Sequence, residues 1–277
     1  MYVEFTMFQQ FSTNHQSIPL TSTKCWTFPQ AFGIIGAMKS GVETNRLNIF
    51  IDETGEFGLS VRSAKLYGIS MVLHEQSADI SFQVNKLEAR LKELDFSKMI
   101  HLGDLINGHG DFEGMTVEKR KQIFISLYRF SSAIETKYHS IIFRKRFADD
   151  ELKLQSALKK LIRSFIENNL EYLTNFNEVV VYYDGGQKRL SKIIDDEFGT
   201  LRGYRRKSKF DHREKKLFQV ADMLTFVDKL IYKHRKHIKL TASERLFFEP
   251  KELKRLADDS NKKQISKTRK APFRVLV

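Results

Sequence analysis

The sequence predicts an α/β fold, and three observations carry that prediction. Two short β-forming runs, Leu47–Ile51 and Glu178–Tyr183, each stop at an aspartate with glycine close behind. Two more runs, Lys65–Leu73 and Lys137–Phe143, have the length and apolar content of strands. The segments between them carry apolar residues at helical spacing. With 277 residues, 41% of them hydrophobic, the chain can bury the core of one large domain.

The first strand organises the rest. Leu47–Ile51 is apolar except for Asn48, and Asp52, Glu53, Thr54 and Gly55 follow directly. A short buried strand therefore delivers carboxylates to its C-terminal end. In an open α/β sheet, ligands bind outside the carboxyl ends of the strands, so Asp52 stands where chemistry usually takes place. A solvated Asp-Glu turn is the plain alternative for this stretch alone.

Lys65–Leu73 should return beside the first strand as a hairpin. Ser81–Leu94 has helical spacing at Phe82, Leu87, Leu91 and Leu94. Met99–Phe112 reads as a polar loop whose glycines, histidines and aspartates make it either a candidate binding loop or a turn-rich connection. Thr116 opens a helix that reaches Ile134, with half a capping box because Lys119 replaces the glutamate. A strand at Lys137–Phe143 precedes a long amphipathic helix over Asp150–Leu173, whose buried side is Leu154, Leu158, Leu161, Ile162 and Phe165.

The opening pattern then recurs, as Glu178–Asp184 ends in aspartate before Gly185 and Gly186. If the two strands lie side by side and parallel, Asp52 and Asp184 face each other within reach of a shared metal. Gln187–Phe198 is helical, and a basic loop over Gly199–Arg213 has room for a short strand at Ser208–His212. Glu214–Tyr232 is the last strong helix, with Leu217, Val220, Ala221, Leu224, Val227, Asp228 and Ile231 along or beside one face. Asp222 stands near the edge of that face, where a carboxylate costs desolvation unless it is paired or holds a cation. A partly exposed flank position is the alternative. Short helices at Ser243–Phe248 and Lys251–Leu256 follow.

The two ends read differently. Residues 1–45 follow neither a period of two nor one of 3.6 and are expected to be a poorly ordered extension. A translation start at Met38 would explain their character equally well. Thr27–Met38 lacks a basic leader and is interrupted by Pro29, so a secretory signal is not expected. Residues 249–277 are expected to be a basic C-terminal tail, which leaves 46–248 as the domain. The single cysteine, Cys25, excludes an internal disulfide framework and a zinc cluster. No apolar run has the length of a membrane span, so a cytoplasmic protein is expected.

Net charge is +13, and it is unevenly placed. From Arg202 to Val277 there are 23 Lys and Arg against 9 Asp and Glu, so everything before Arg202 is close to neutral. A basic part beside a neutral one points to a polyanionic partner, nucleic acid first, with a solvated basic face as the alternative.

Together these residues resemble the domain of unknown function 3800 family. The likeness rests on Ile51-Asp52-Glu53-Thr54-Gly55, the His101 loop, the Asp184 strand end and Phe218-Gln219-Val220-Ala221-Asp222-Met223-Leu224. The family's hallmarks are a strand ending in Asp-Glu-Ser-Gly and a helix reading Gln-hydrophobic-Ala-Asp. Thr54 replaces the usual serine and keeps a hydroxyl. The resemblance spans 46–248 and implies a ribonuclease H-like fold: a five-stranded mixed sheet, three antiparallel strands first, with helices on both faces. It also implies acids on the first strand, the end of the fourth strand and the last helix, which here are Asp52, Asp184 and Asp222. Glu53 follows Asp52 directly, so in a strict strand it points to the opposite face.

Carboxylates meeting at one strand edge repel unless cations neutralise them, and an oxygen-only set suits Mg²⁺ or Mn²⁺. Such ions can activate water and stabilise the leaving oxygen of a phosphodiester. The expectation is a metal-dependent nuclease acting on DNA or RNA. Its site residues are Asp52, Glu53, Asp184, Asp222 and His101, with metal on Asp52, Asp184 and Asp222. His101 either assists proton transfer, contacts phosphate or is structural. One alternative is a non-catalytic nucleic-acid-binding or defence-effector module of the same fold. Another is phosphoryl chemistry of the sugar-kinase and actin-like type, but a second glycine-rich phosphate loop is missing. An aspartate two residues after Asp52, which a haloacid-dehalogenase phosphatase needs, is missing too.

Overall fold

The computed structural model describes residues 6–10, 45–58, 65–145 and 150–262. Its centre is a mixed sheet of β2 (Arg46–Thr54), β3 (Leu66–Glu75), β4 (Lys137–Arg144), β5 (Glu178–Tyr182) and β6 (Tyr204–Lys207). β1 (Thr6–Gln10) adds a sixth strand at one edge, giving the order β1-β4-β3-β2-β5-β6. β2 and β3 form the expected hairpin, with Asp52 opposite Ser70, and β4 continues antiparallel to β3. β5 lies parallel to β2 with Phe50 beside Tyr182, and β6 is parallel to β5. The two acid-bearing strands are thus central neighbours that run the same way.

Strand alternation divides the sheet into two buried faces. On one, Phe50, Val72, Val180 and Tyr182 pack under α1 (Ser81–Glu93), α3 (Val117–Ala133) and α7 (His212–Arg235). On the other, Ile49, Ile51, Ile69 and Val181 pack under α4 (Glu151–Asn168) and α6 (Lys188–Phe198). This explains why β2 and β5 are apolar at nearly every position rather than at alternate ones, since both of their faces are covered.

α7 is the helix that matters most for the site. Asp211 caps it, accepting from Glu214 N at 2.8 Å while Glu214 Oε2 accepts from Asp211 N at 2.6 Å. Residues from Leu217 to Tyr232 are buried around most of its circumference, because it touches β2, β3 and β4 below and other helices above. It crosses β2, β3 and β4, and its later residue Tyr232 packs with Leu66 of β3 and Ile142 of β4.

Several sequence expectations change. The Met99–Phe112 stretch holds a short helix, α2 (Leu102–Asn107), closed by Gly108 at φ 72°, and then a single 3-10 turn. The long helix breaks at Asn169, and α5 (Leu170–Thr174) follows it. The last strand is Tyr204–Lys207 rather than Ser208–His212, because Asp211 is already the cap of α7. Thr6–Gln10 of the expected extension pairs with β4, Thr6 opposite Ile142. Residues 1–5 and 11–44 of the extension, Met38 among them, lie outside the described ones. Beyond α8 (Ala242–Phe247), the expected tail begins as α9 (Pro250–Lys262), whose Leu253, Leu256 and Ala257 are buried in the α7 core. Among the described residues, no helix is long and apolar enough to cross a membrane.

Candidate functional site

β2 ends with Asp52 and Glu53 on consecutive residues, so the pleat sends them to opposite faces of the sheet. Asp52 lies on the α7 side and Glu53 on the α6 side. Both are half-buried at the carboxyl end of the central strand.

On the α7 side, Thr225 Oγ1 donates to Ala221 O at 2.7 Å and approaches Asp52 O at 3.3 Å, pinning helix to strand. Asp222 lies within hydrogen-bond reach of the Asp52 carboxyl group. Its Oδ2 also accepts from Leu102 N at 2.8 Å, so the His101 loop is drawn to the site through the residue after His101. Burial raises the Asp52 pKa well above the carboxylate range, and repulsion from Asp222, Glu53 and Asp184 adds to it. Asp222 is also raised by burial, an effect opposed by the Leu102 N–H, His101 and Lys229. His101 itself is exposed and precedes the first turn of α2.

On the α6 side, Tyr183 OH donates to Glu53 Oε1 at 3.1 Å and accepts from Gln187 N at 2.8 Å. Burial and the Asp184 charge push Glu53 up to about 7. Asp184 is exposed in the turn after β5, and its Oδ1 accepts from Gly186 N at 2.9 Å. A Cβ on Gly186 would stand 3.3 Å from Glu53 Oε1 and 3.4 Å from Asp184 Oδ1. The glycine therefore keeps open the space that these two carboxylates flank.

The turn after β2 is held from both sides. Gln187 Nε2 donates to Gly55 O and its Oε1 accepts from Phe57 N, both at 3.0 Å. Lys145 Nζ donates to Glu56 O at 2.8 Å and Gly58 O at 2.7 Å. Gly55, at φ 91°, makes the sharp exit from the strand. These contacts fix the backbone that carries the acids, as a preorganised site requires.

The parallel neighbouring strands and the meeting of acids from β2, β5 and α7 agree with the sequence. The pairing does not fully agree. The carboxylate that presses hardest on Asp52 is Asp222, and Asp184 stands with Glu53 instead. Among the described residues, no group of three or more His, Cys, Asp or Glu side chains is arranged so that it could hold a metal ion. The four acids form two adjacent pairs.

Their chemistry nonetheless fits a hard divalent cation. The donors are all oxygen, and among the described residues neither the buried Glu53 Oε2 nor the nearby buried Tyr67 hydroxyl has a hydrogen-bond partner. Burial and mutual repulsion leave the acids short of the positive charge that such an ion supplies.

Sequence reasoning passed over Lys229, whose Nζ donates to Thr54 Oγ1 at 2.7 Å beside this cluster. It also passed over Tyr183, Gln187 and Lys145. The available signal for Lys229 was its place seven residues after Asp222, on the same side of α7.

No protein-family profile matches the chain, and a search of curated proteins finds no match. Among solved structures, it is similar to RNase HII from Archaeoglobus fulgidus, described in a complex with PCNA. That alignment covers 77% of this chain and 87% of the other, at 12% identity and a TM-score of 0.38. At this distance only the side chains of this protein bear on its chemistry.

Proposed function

We propose that this protein is a divalent-metal-dependent nuclease of ribonuclease H-like architecture, related to the domain of unknown function 3800 family. The observation that carries the reading is the meeting of Asp52 and Glu53, at the end of the central strand, with Asp184 of the parallel neighbour and Asp222 of the packed helix. The strand order and directions support the architecture: three antiparallel strands first, then two parallel to the first.

Asp52, Asp184 and Asp222, with Glu53, are the residues that would hold Mg²⁺ or Mn²⁺. When bound, such ions lower the pKa of a coordinated water and neutralise charge on a phosphodiester. The protein's part is orientation. Leu102 N–H aims the Asp222 carboxylate, Tyr183 aims Glu53, and the clamps on residues 55–58 fix the strand exit. His101, exposed beside Asp222, is placed to exchange a proton with solvent or to meet phosphate.

The exposed cations in and around β6 and at the start of α7, among them Arg202, Lys207, Lys209 and Lys215, would hold a nucleic-acid backbone without reading its sequence. This surface also favours a second reading, a non-catalytic nucleic-acid-binding or defence-effector module, which predicts binding that survives loss of the acids.

The deciding experiment incubates the purified protein with labelled single- and double-stranded DNA and RNA in Mg²⁺, Mn²⁺ or EDTA, beside Asp52→Asn. Metal-dependent cutting that the variant loses supports the nuclease. Cutting that the variant retains in full overturns it. Salt-sensitive binding without cutting in either protein moves the binding module to first place.

A further inference from the structure

α7 carries two lysines one turn apart, Lys229 beside the carboxylate cluster and Lys233 beyond it, and their ammonium groups are held differently. Lys233 Nζ is consumed by Glu244, at 2.6 and 2.8 Å from its two oxygens. Lys229, one turn earlier, has no such partner among the described residues. Its ammonium donates to the neutral hydroxyl of Thr54 at 2.7 Å and lies 4.1 Å from the centre of the Phe226 ring.

That is an unusual place to leave a cation. Lys229 is half-buried, and Asp222, two turns back on the same helix, is close enough for each to perturb the other. The lysine nonetheless bonds the hydroxyl of the residue that follows Glu53. An ammonium has three donor hydrogens, and Thr54 takes one. The Thr54 hydroxyl, in accepting from Lys229, keeps its own hydrogen to donate.

We infer that Lys229 and Thr54 form an anion subsite beside the carboxylates, which receives a phosphate of the bound nucleic-acid strand. Half-burial strengthens such a contact by lowering the local dielectric, while the remaining exposure lets the ligand in. Asp222 and Lys229 lie two turns apart on one side of α7 and interact, so the subsite sits directly beside the carboxylates. The nuclease reading supplies the identity of the anion; the subsite itself rests on Lys229 and Thr54.

The test measures binding of a fluorescein-labelled single-stranded oligonucleotide, as DNA and as RNA, by anisotropy across a salt series in EDTA. It compares the full-length protein with Lys229→Met, Lys229→Arg and Thr54→Val. Lys229→Met should weaken binding about tenfold and lower the slope of log affinity against log salt by about one. Lys229→Arg should keep the slope. Thr54→Val retains the ammonium and should weaken binding a few-fold at unchanged slope. That variant also keeps the test decisive if Lys229→Met melts early.

An unchanged affinity and slope in Lys229→Met overturns the inference, as does an equal loss in Lys229→Arg. Absence of oligonucleotide binding by the unmodified protein overturns it as well. A parallel cleavage assay in Mn²⁺ separates the two claims. If the binding results come out as expected and nothing is cut, the subsite stands and the nuclease reading falls.

Discussion

Tyr183 OH donates to Glu53 Oε1 at 3.1 Å and simultaneously accepts from the backbone N–H of Gln187 at 2.8 Å. One hydroxyl thereby ties the acid of the central strand to the start of the helix that follows the neighbouring strand. Tyr183→Phe removes both bonds while keeping the ring in its apolar setting. A loss of about 1 kcal/mol in stability is expected. Metal-dependent cleavage should fall about tenfold, with a weaker apparent metal affinity. Melting curves and an Mn²⁺ titration of cleavage check the two effects separately.

Gly186→Ala places a methyl group between Glu53 and Asp184. Its carbon would lie 3.3 and 3.4 Å from their oxygens, tight enough that one must shift. Gly186 is exposed and its φ is not positive, so the fold should hardly notice. The expected result is a near-native melting temperature with sharply reduced metal-dependent cleavage. Equal activity in the variant would show that the space between these two acids is not used.

Metal should stabilise the protein through the same acids. A cation that binds only the native state raises stability as its concentration exceeds the dissociation constant, by about 2.7 kcal/mol at a hundredfold excess. Mn²⁺ should therefore raise the melting temperature of the unmodified protein and leave Asp222→Asn unmoved. Calorimetry with Mn²⁺ alone, without substrate, makes the comparison independent of activity.

His139 predicts a pH effect far from the site. It is fully buried against Phe165, both ring nitrogens lack partners among the described residues, and burial lowers its pKa from 6.5 to about 4. Below pH 6.5 the unfolded chain takes up a proton that the native protein refuses until about pH 4. This contribution is fully present above 6.5 and is lost as pH falls through that window, by roughly 3 kcal/mol in all. Asp228, fully buried and raised to about 7, acts in the opposite sense between its unfolded value of 3.8 and 7. The effect must accordingly be read as a difference. His139→Phe should gain stability relative to the unmodified protein as pH is lowered from 7 to 4, measured by urea unfolding.

Where burial and periodicity agreed, the chain could be read directly. β2 and β5 are apolar because both their faces are covered, and an acid lies near or just beyond the end of each; α7 shows its packed face from Leu217 to Ile231. β6 was misplaced because Arg205, Arg206 and Lys207 are exposed on an edge strand and carry no apolar alternation. α2 hid in a loop because Leu102, Leu105 and Ile106 give only one turn's worth of pattern.

Among the site residues, the acids stood out because a carboxylate in an apolar setting demands a reason. Their pairing did not, since sequence gives the strand on which an acid lies but not the side chain it meets across the edge. Lys229 was missed for a related reason. A lysine on a helix reads as solvated until its ammonium is found against Thr54.

The order of Asp52 and Glu53 along β2 has one more consequence. The two acid pairs hang from successive Cα atoms, about 3.8 Å apart across a trans peptide. Their separation at the strand is thus a bond-length quantity, indifferent to how loops drift or helices slide. Substitutions elsewhere can swing Asp184 or Asp222 toward or away from their partners, but the two attachment points on the strand move only together. A shift of β2 by one residue against β3 would exchange the sides on which both acids lie, so activity and correct strand pairing would be lost in a single event.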